Sequence, residues 1–513
     1  MRRERSRADR LLFLLPLLGL VVAGSVCIAL RTDRLGPGVS PDSVHYMAIA
    51  ESIAAGRGYR SYSGSPSPQW APAYPSLLAA GPALGVAVAA WARALNVLGF
   101  ALLIAAVGLA LRASARSAGP ALLGAAAVAV APPLHLVYSF VWTETAFILW
   151  LAAFLVAAPR YLATGRRRDL LVLALIAGLA CLTRYLGVAL CAAALVLVAW
   201  AREGPDRSRG RHAWLLTAVA LGPLALWLAR NLVVSGTVSG LRAASPEPMR
   251  VHLTRLVSIA LEWSVPLAIS RRLQAAVVLA VVVTALVAIV AARRRPDDGR
   301  GRRLLTLAPA LAACACYALA VTLAASAIAI DALDDRLLAP LFVPMVIVAA
   351  LALDQVLAGP RRGMLAALRR WGLLAAAVGW VTVQAMAVVP LALQQRRAGA
   401  GVYTDARWVE SETIARLRLM PTAEALYAND TDAVYLFTGR VARPAPRQPR
   451  PGAQEGLHDL GGLLRPDGPA RILVWFDTQY RRDLVPLPEL EPHVRLERLG
   501  RFSDGAIYRV EPR

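Results

Sequence analysis

Lysine is absent from this chain of 513 residues: all 56 basic residues are arginine. Together with the abundance of alanine, this fits a GC-rich, bacterial genome. Cysteine is scarce too. The five cysteines, Cys27, Cys181, Cys191, Cys314 and Cys316, all lie in apolar runs and none lies in the polar C-terminal part, so no disulfide framework follows. Cys314 and Cys316 are two apart on an expected helix and point to different faces, and without His or Cys neighbours their spacing gives no metal site. Charge is sparse as well, at 17%, against 57% hydrophobic residues and a mean hydropathy of +0.52. That balance excludes disorder, collagen, a small disulfide scaffold and a set of soluble domains, and it indicates a polytopic membrane protein.

Only 33 acidic residues oppose the arginines, which leaves a net charge of +23. Residues 395–513 hold 18 arginines against 16 acids, so almost all of the excess belongs to the hydrophobic part. There the arginines sit in short clusters between apolar runs, where they orient membrane helices; this excludes nucleic-acid binding as the reason for the basic charge.

Apolar runs occur near 11–30, 77–111, 118–137, 144–158, 169–183, 186–200, 213–233, 274–292, 304–330, 337–358 and 371–393, an expectation of about eleven spans. The first follows MRRERSRADR and is too long for a cleaved signal peptide, so it reads as a signal anchor with its basic end in the cytoplasm. Arginine clusters at 112–116, 166–168, 202–211, 293–303 and 361–370 then all fall on the cytoplasmic side. The remaining gaps are assigned to the outside: the loop 31–76, short connections near 138–143, 184–185 and 331–336, a loop at 234–273, and the tail. The expected organisation is a transmembrane module, 1–394, and an extracytoplasmic α/β domain, 395–513, with strands at Ala425–Ala428, Ile472–Phe476 and Ala506–Val510.

Ionisable residues at span ends cost roughly 2.5–3.5 kcal/mol at a helix centre by insertion scales, and so point to function. Here they gather on the outer side: Asp42, Glu144, Arg184 with Tyr185, Arg230 with Asn231, and Asp331, Asp334, Asp335 and Arg336. Ser40 and Pro41 predict the start of a helix lying along the membrane surface, with Val44, Met47 and Ile53 on its apolar side. Asp42 in its first turn reads either as a partner of the helix dipole or as a general base facing a cavity. His45 and Glu51 neighbour it without metal-ligand spacing. In SPSPQWAPAYP, Trp70 and Tyr74 read as an interfacial aromatic belt or as a surface on which a sugar ring stacks.

The segments SPDSVHYMAIAESIAAGRGY, QWAPAYP, YSFVWTETAFIL, GLACLTRYLGVAL, LALWLARNLVVSGTVSG, DALDDRLLAPLFVP, LYANDTDAVYLFTGR and DGAIYRV, in this order over nearly the whole chain, resemble the polytopic membrane glycosyltransferases of the GT-C class. The similarity is to the bacterial branch related to protein O-mannosyltransferases and the lipid A aminoarabinose transferase. It implies transfer of a sugar from a polyprenyl-phosphate carrier to an extracytoplasmic cell-envelope acceptor, usually with inversion, at the inner membrane. It also matches Asp42 to the family's first-loop catalytic aspartate and makes Arg184, Arg230 and Arg336 candidate phosphate holders. His45, Tyr46, Trp70, Tyr74, Glu144, Tyr185, Asn231 and Asp335 are candidate substrate contacts. Glu144 is open to pairing with an arginine, Asn231 to capping its span, and Asp335 to pairing with Arg336. Several members carry an acidic pair where this chain has Asp42–Ser43, so the sugar, the acceptor and any divalent metal stay open and no cofactor is implied. The competing readings are a transporter or lipid-carrier flippase, disfavoured by the lack of an internal repeat, and a non-catalytic scaffold, which leaves the outer arginines without a purpose.

Overall fold

The computed structural model describes residues 2–201, 208–264, 300–329, 332–358, 364–421, 424–448, 471–477 and 484–512, with scattered positions from 270 to 283. Asp331 and most of the expected span 274–292 lie outside the described residues. In chain order the first loop follows α1 (Arg2–Arg31) and carries α2 (Pro41–Ala54); α3 (Ala73–Ala83) and α4 (Val88–Ser114) come next. The apolar run 77–111 is therefore two helices, because Pro82 ends α3 and Gly85, at φ +76°, turns the chain before Val88. The run 118–137 also divides, into α5 (Ala118–Ala129) and α6 (Pro132–Ser139), bent by 47°. Pro132 and Pro133 cannot continue the preceding ladder, which places the break there.

The bundle continues as α7 (Thr143–Thr164), α8 (Arg167–Thr183), α9 (Val188–Trp200), α10 (Arg209–Ser235), α11 (Met249–Ser264), α12 (Arg300–Ala327), α13 (Asp335–Leu357) and α14 (Met364–Ala398). Seven helices among the described residues are long and apolar enough to cross a membrane, or eight if the bent pair counts as one span. The expectation of about eleven exceeds this because α8 and α9, at 17 and 13 residues, are short for a crossing and one run lies outside the described residues. The loop 234–273 holds a helix, α11, that the sequence reading left out. At the centre of the bundle is α13, with 83% of its apolar window buried, against 11% for α14 and 22% for α1. Leu11, Leu12, Leu15 and Leu18 of α1 and Leu368, Trp371 and Met386 of α14 are exposed, as lipid-facing side chains are.

After α14 the chain turns through Gly399, at φ +94°, where a Cβ would collide with the Thr404 carbonyl oxygen. The tail contains α15 (Glu412–Leu419), β1 (Ala425–Ala428), α16 (Thr431–Thr438), β2 (Arg443–Pro444), β3 (Arg471–Phe476), β4 (Val494–Phe502) and β5 (Gly505–Pro512). The sheet order is β2-β1-β3-β5-β4, parallel across β2-β1-β3 and antiparallel across β3-β5-β4. Asn429 prolongs the β1–β3 pairing with its side chain, donating to Phe476 O at 2.8 Å and accepting from Phe476 N at 2.9 Å.

This sheet packs on the first loop. Val39, Val44, Tyr46 and Tyr74 share one hydrophobic cluster with Trp408, Leu426, Ile472 and Phe476. Polar bonds join the same surfaces: Tyr403 N donates to Val39 O at 3.0 Å, and the Tyr62 hydroxyl donates to Asp432 at 2.8 Å. The tail and the first loop therefore lie on one side of the bundle. The helix α2 is consequently covered more fully than a helix lying on a membrane surface, with Val44, Tyr46, Ile49 and Ala50 buried.

Candidate active site

The site begins at the N-terminus of α2. Ser40 is its N-cap in extended backbone; its Oγ accepts from Ser43 N, and Ser43 Oγ accepts from Ser40 N at 3.0 Å, so a serine takes the third-position role in a capping box. Both hydroxyls also reach the α6–α7 connection. Trp142 Nε1 donates to Ser40 Oγ at 2.8 Å, and Ser43 Oγ donates to Val141 O at 2.9 Å. Gly38 pairs as a strand with Phe140, and Phe140 stacks on Trp142 with ring centroids 4.1 Å apart. The turn that carries Asp42 is thus pinned to the start of α7, where Thr143 and Glu144 follow.

Three more elements supply the cations and their support. Arg336, the second residue of α13, donates from Nη2 to Asp42 Oδ2 at 2.6 Å and from Nε to Glu144 Oε1 at 2.8 Å. Its guanidinium lies over the Trp142 ring, 4.4 Å from the centroid. Arg184, in the break between α8 and α9, pairs with the same Glu144 oxygen and donates to Thr143 Oγ1 at 3.4 Å. The Glu144 side chain is fully buried, Arg184 and Arg336 are 11% and 12% exposed, and Asp42 is the most open at 28%. Two carboxylates and two guanidiniums from α2, α7, α13 and the α8–α9 break therefore meet in one network with no net charge. Asp42 sits in the first turn of α2 and faces the Arg336 guanidinium.

The structure sorts the other candidates. Tyr46 and Tyr74 are buried and meet edge to face at 5.5 Å, with Trp70 edge-on to Tyr46 at 5.1 Å. Burial first, and the Asp42 charge second, push the Tyr46 phenol well above its usual range, so it stays neutral. His45 stacks on Tyr62 at 5.1 Å, and its Nε2 lies 3.4 Å from Asp432 of the tail. The hydroxyl of Tyr185 donates to Pro68 O at 2.9 Å and faces Trp227 Nε1 at 3.2 Å. Arg230 stands apart from the four-residue network. It lies 4.9 Å over Trp227 and 5.9 Å over Tyr59, and it pairs with no carboxylate among the described residues.

Two expectations are corrected. Asn231 does not cap its helix, which runs on to Ser235; it donates instead to Val238 O at 3.0 Å and so ties down the loop beyond. Asp335 does not pair with Arg336, because consecutive helical residues diverge; it accepts from Trp263 Nε1 at 2.7 Å. The sequence reading also missed Trp142 and Thr143 as members of the site. Their signal was their place beside Glu144 in a segment already singled out. Among the described residues no group of three or more His, Cys, Asp or Glu side chains is placed to hold a metal ion.

No protein-family model matches the chain, and no curated protein matches it in sequence. Solved structures do match. The crystal structure of ArnT from Cupriavidus metallidurans in the apo state aligns with a TM-score of 0.62 at 14% identity, over 96% of this chain and 97% of that one. The crystal structure of the same protein bound to undecaprenyl phosphate aligns with a TM-score of 0.59 at 15% identity, with the same coverage. Identity this low speaks for the fold alone, and it does so over nearly the whole of both chains: this protein has the fold seen in those ArnT structures.

Proposed function

We propose that this protein is a membrane glycosyltransferase that moves a sugar from a polyprenyl-phosphate carrier to a hydroxyl of a cell-envelope acceptor on the outer face. The observation that supports this reading best is the junction of Asp42, Arg336, Glu144 and Arg184. It joins a carboxylate able to take a proton to guanidiniums able to receive a departing phosphate, which is what such a transfer needs. The ArnT structure with undecaprenyl phosphate bound shows a protein of this fold holding a polyprenyl phosphate. In the reaction, the acceptor oxygen bonds to the anomeric carbon while its proton passes to Asp42. The bond from that carbon to the carrier breaks, and its electron pair stays on the phosphate, whose growing charge Arg336 and Arg184 offset.

The remaining candidates take supporting parts. Arg230 is a third cation, outside the network, for the anionic carrier, and the half-exposed faces of Trp70 and His45 suit a sugar ring. In this reading the first loop and the tail face the extracytoplasmic side, with residues 395–513 forming a domain there. The test is transfer from a polyprenyl-phosphate sugar by the purified protein. Asp42→Asn, which keeps volume and hydrogen-bonding capacity but cannot take the proton, is expected to cut turnover by roughly 10²-fold or more. Near-normal turnover with a small stability loss would reduce Asp42 to a helix-dipole role. Equal use of a soluble nucleotide sugar would remove the carrier from the proposal.

A further inference from the structure

We infer that Arg336 is passed from Asp42 to the carrier phosphate when the donor binds, and that Glu144, without touching substrate, is the positioning residue that holds the guanidinium through the exchange. This rests on the reading of the protein as a polyprenyl-phosphate sugar transferase.

The Arg336 guanidinium is engaged on several sides. Nε is engaged by Glu144, Nη2 by Asp42, and one face is covered by Trp142. Arginine grips a phosphate best with two parallel N–H groups, and the end formed by the two terminal nitrogens includes the Nη2 that Asp42 occupies. A phosphate seated there therefore shares that nitrogen with the Asp42 carboxylate and stands directly beside it. Charge favours the exchange. The four-residue network is balanced, so an incoming phosphate adds uncompensated negative charge beside Asp42, and repulsion between two anions at one guanidinium end drives one of them off.

Asp42 is the carboxylate that can leave. It is 28% exposed on the first turn of α2, so water replaces its lost partner. Glu144 is fully buried and holds two arginines on one oxygen, and releasing it would strand charge in the interior. The exchange has a consequence for the chemistry: a carboxylate bound to a guanidinium at 2.6 Å is a hindered base, and the donor frees it. The donor thus prepares the base before the acceptor is deprotonated, which makes donor-first binding the productive order.

The experiment is equilibrium binding of undecaprenyl phosphate to the full chain in lipid nanodiscs. Asp42→Asn is expected to bind it more tightly than the wild type, by about three- to tenfold, because a competing ion pair of moderate strength has been removed. Arg336→Lys is expected to bind it more weakly, by about tenfold or more, since it loses the fork. Glu144→Asp, which keeps the charge but draws the carboxylate back by one methylene, is expected to weaken binding as well, by about threefold or more, and circular dichroism of the same sample checks that the variant is folded. Unchanged or weaker binding by Asp42→Asn overturns the exchange and leaves the transferase reading standing. Unchanged or tighter binding by the Glu144 variant overturns its positioning role. If the wild type does not bind undecaprenyl phosphate, the carrier reading fails and the inference fails with it.

Discussion

Replacing Glu144 by glutamine removes one negative charge from a network that otherwise sums to zero, and the geometry sets the cost. Both arginines meet Glu144 on Oε1. After the substitution Arg336 keeps Asp42, but Arg184 keeps only neutral acceptors, the glutamine oxygen and the Thr143 hydroxyl at 3.4 Å. About one guanidinium is then buried without a counter-charge, and at 11% exposure Arg184 gains little help from water. Removing one partner of a buried pair costs about 3–5 kcal/mol, so the expected loss is about 4 kcal/mol. Reversible unfolding of the purified protein in mixed micelles would read it. Arg184→Met alone leaves the opposite imbalance and should also destabilise. The double variant restores a balanced network of Asp42 and Arg336, and it should be more stable than either single variant. A loss below about 1 kcal/mol for Glu144→Gln, with no coupling to Arg184→Met, would mean that the network is wet and weakly held. The arrangement of the site would then have to be abandoned.

Trp142→Phe keeps a ring face under Arg336 but loses the indole bond to Ser40, so it should cost about 1 kcal/mol in unfolding; Trp142→Ala also loses the cation–π contact and should cost more. Arg336→Lys should retain more transfer activity than Arg336→Ala, yet far less than the wild type, as measured by sugar release from a polyprenyl-phosphate donor. A reporter fused after Arg397 should show an extracytoplasmic position; a cytoplasmic signal would place the site on the wrong side for a lipid-linked donor. Gly399→Ala should destabilise the tail by more than about 1 kcal/mol, because the positive φ and the Thr404 carbonyl both oppose a Cβ, and protection of the tail from proteolysis would report it.

The parts of this site that were legible in the sequence are those with a local cause. Ser40 and Pro41 announce the start of α2 because capping needs only the residues of one turn. Arg184 and Arg336 stand out because charge at a span end is costly wherever the chain goes. Arg230 stood out for the same reason, but the hydropathy pattern is silent on which neighbour a helix end meets: α13 brings Arg336 to Asp42, whereas α10 turns Arg230 onto Trp227 and Tyr59. The strands Ala425–Ala428 and Arg471–Phe476 were likewise readable, but the contacts of the tail with Val39 and Tyr62 join opposite ends of the chain and have no local signature.

The apolar runs and the helices also differ for a physical reason. Hydropathy sums side chains, whereas Pro82, Gly85 and the Pro132–Pro133 pair act on the backbone, dividing two apolar runs without lowering their hydropathy. The second of these breaks bears on function. The connection after α6 carries Phe140 to Trp142, pairs with Gly38, bonds Ser40 and Ser43, and supports Arg336 from below. An uninterrupted span through α5 and α6 would carry that connection elsewhere and leave the first turn of α2, and with it Asp42, without its main anchor. A break that hydropathy does not register is therefore part of what brings the candidate base to its arginine.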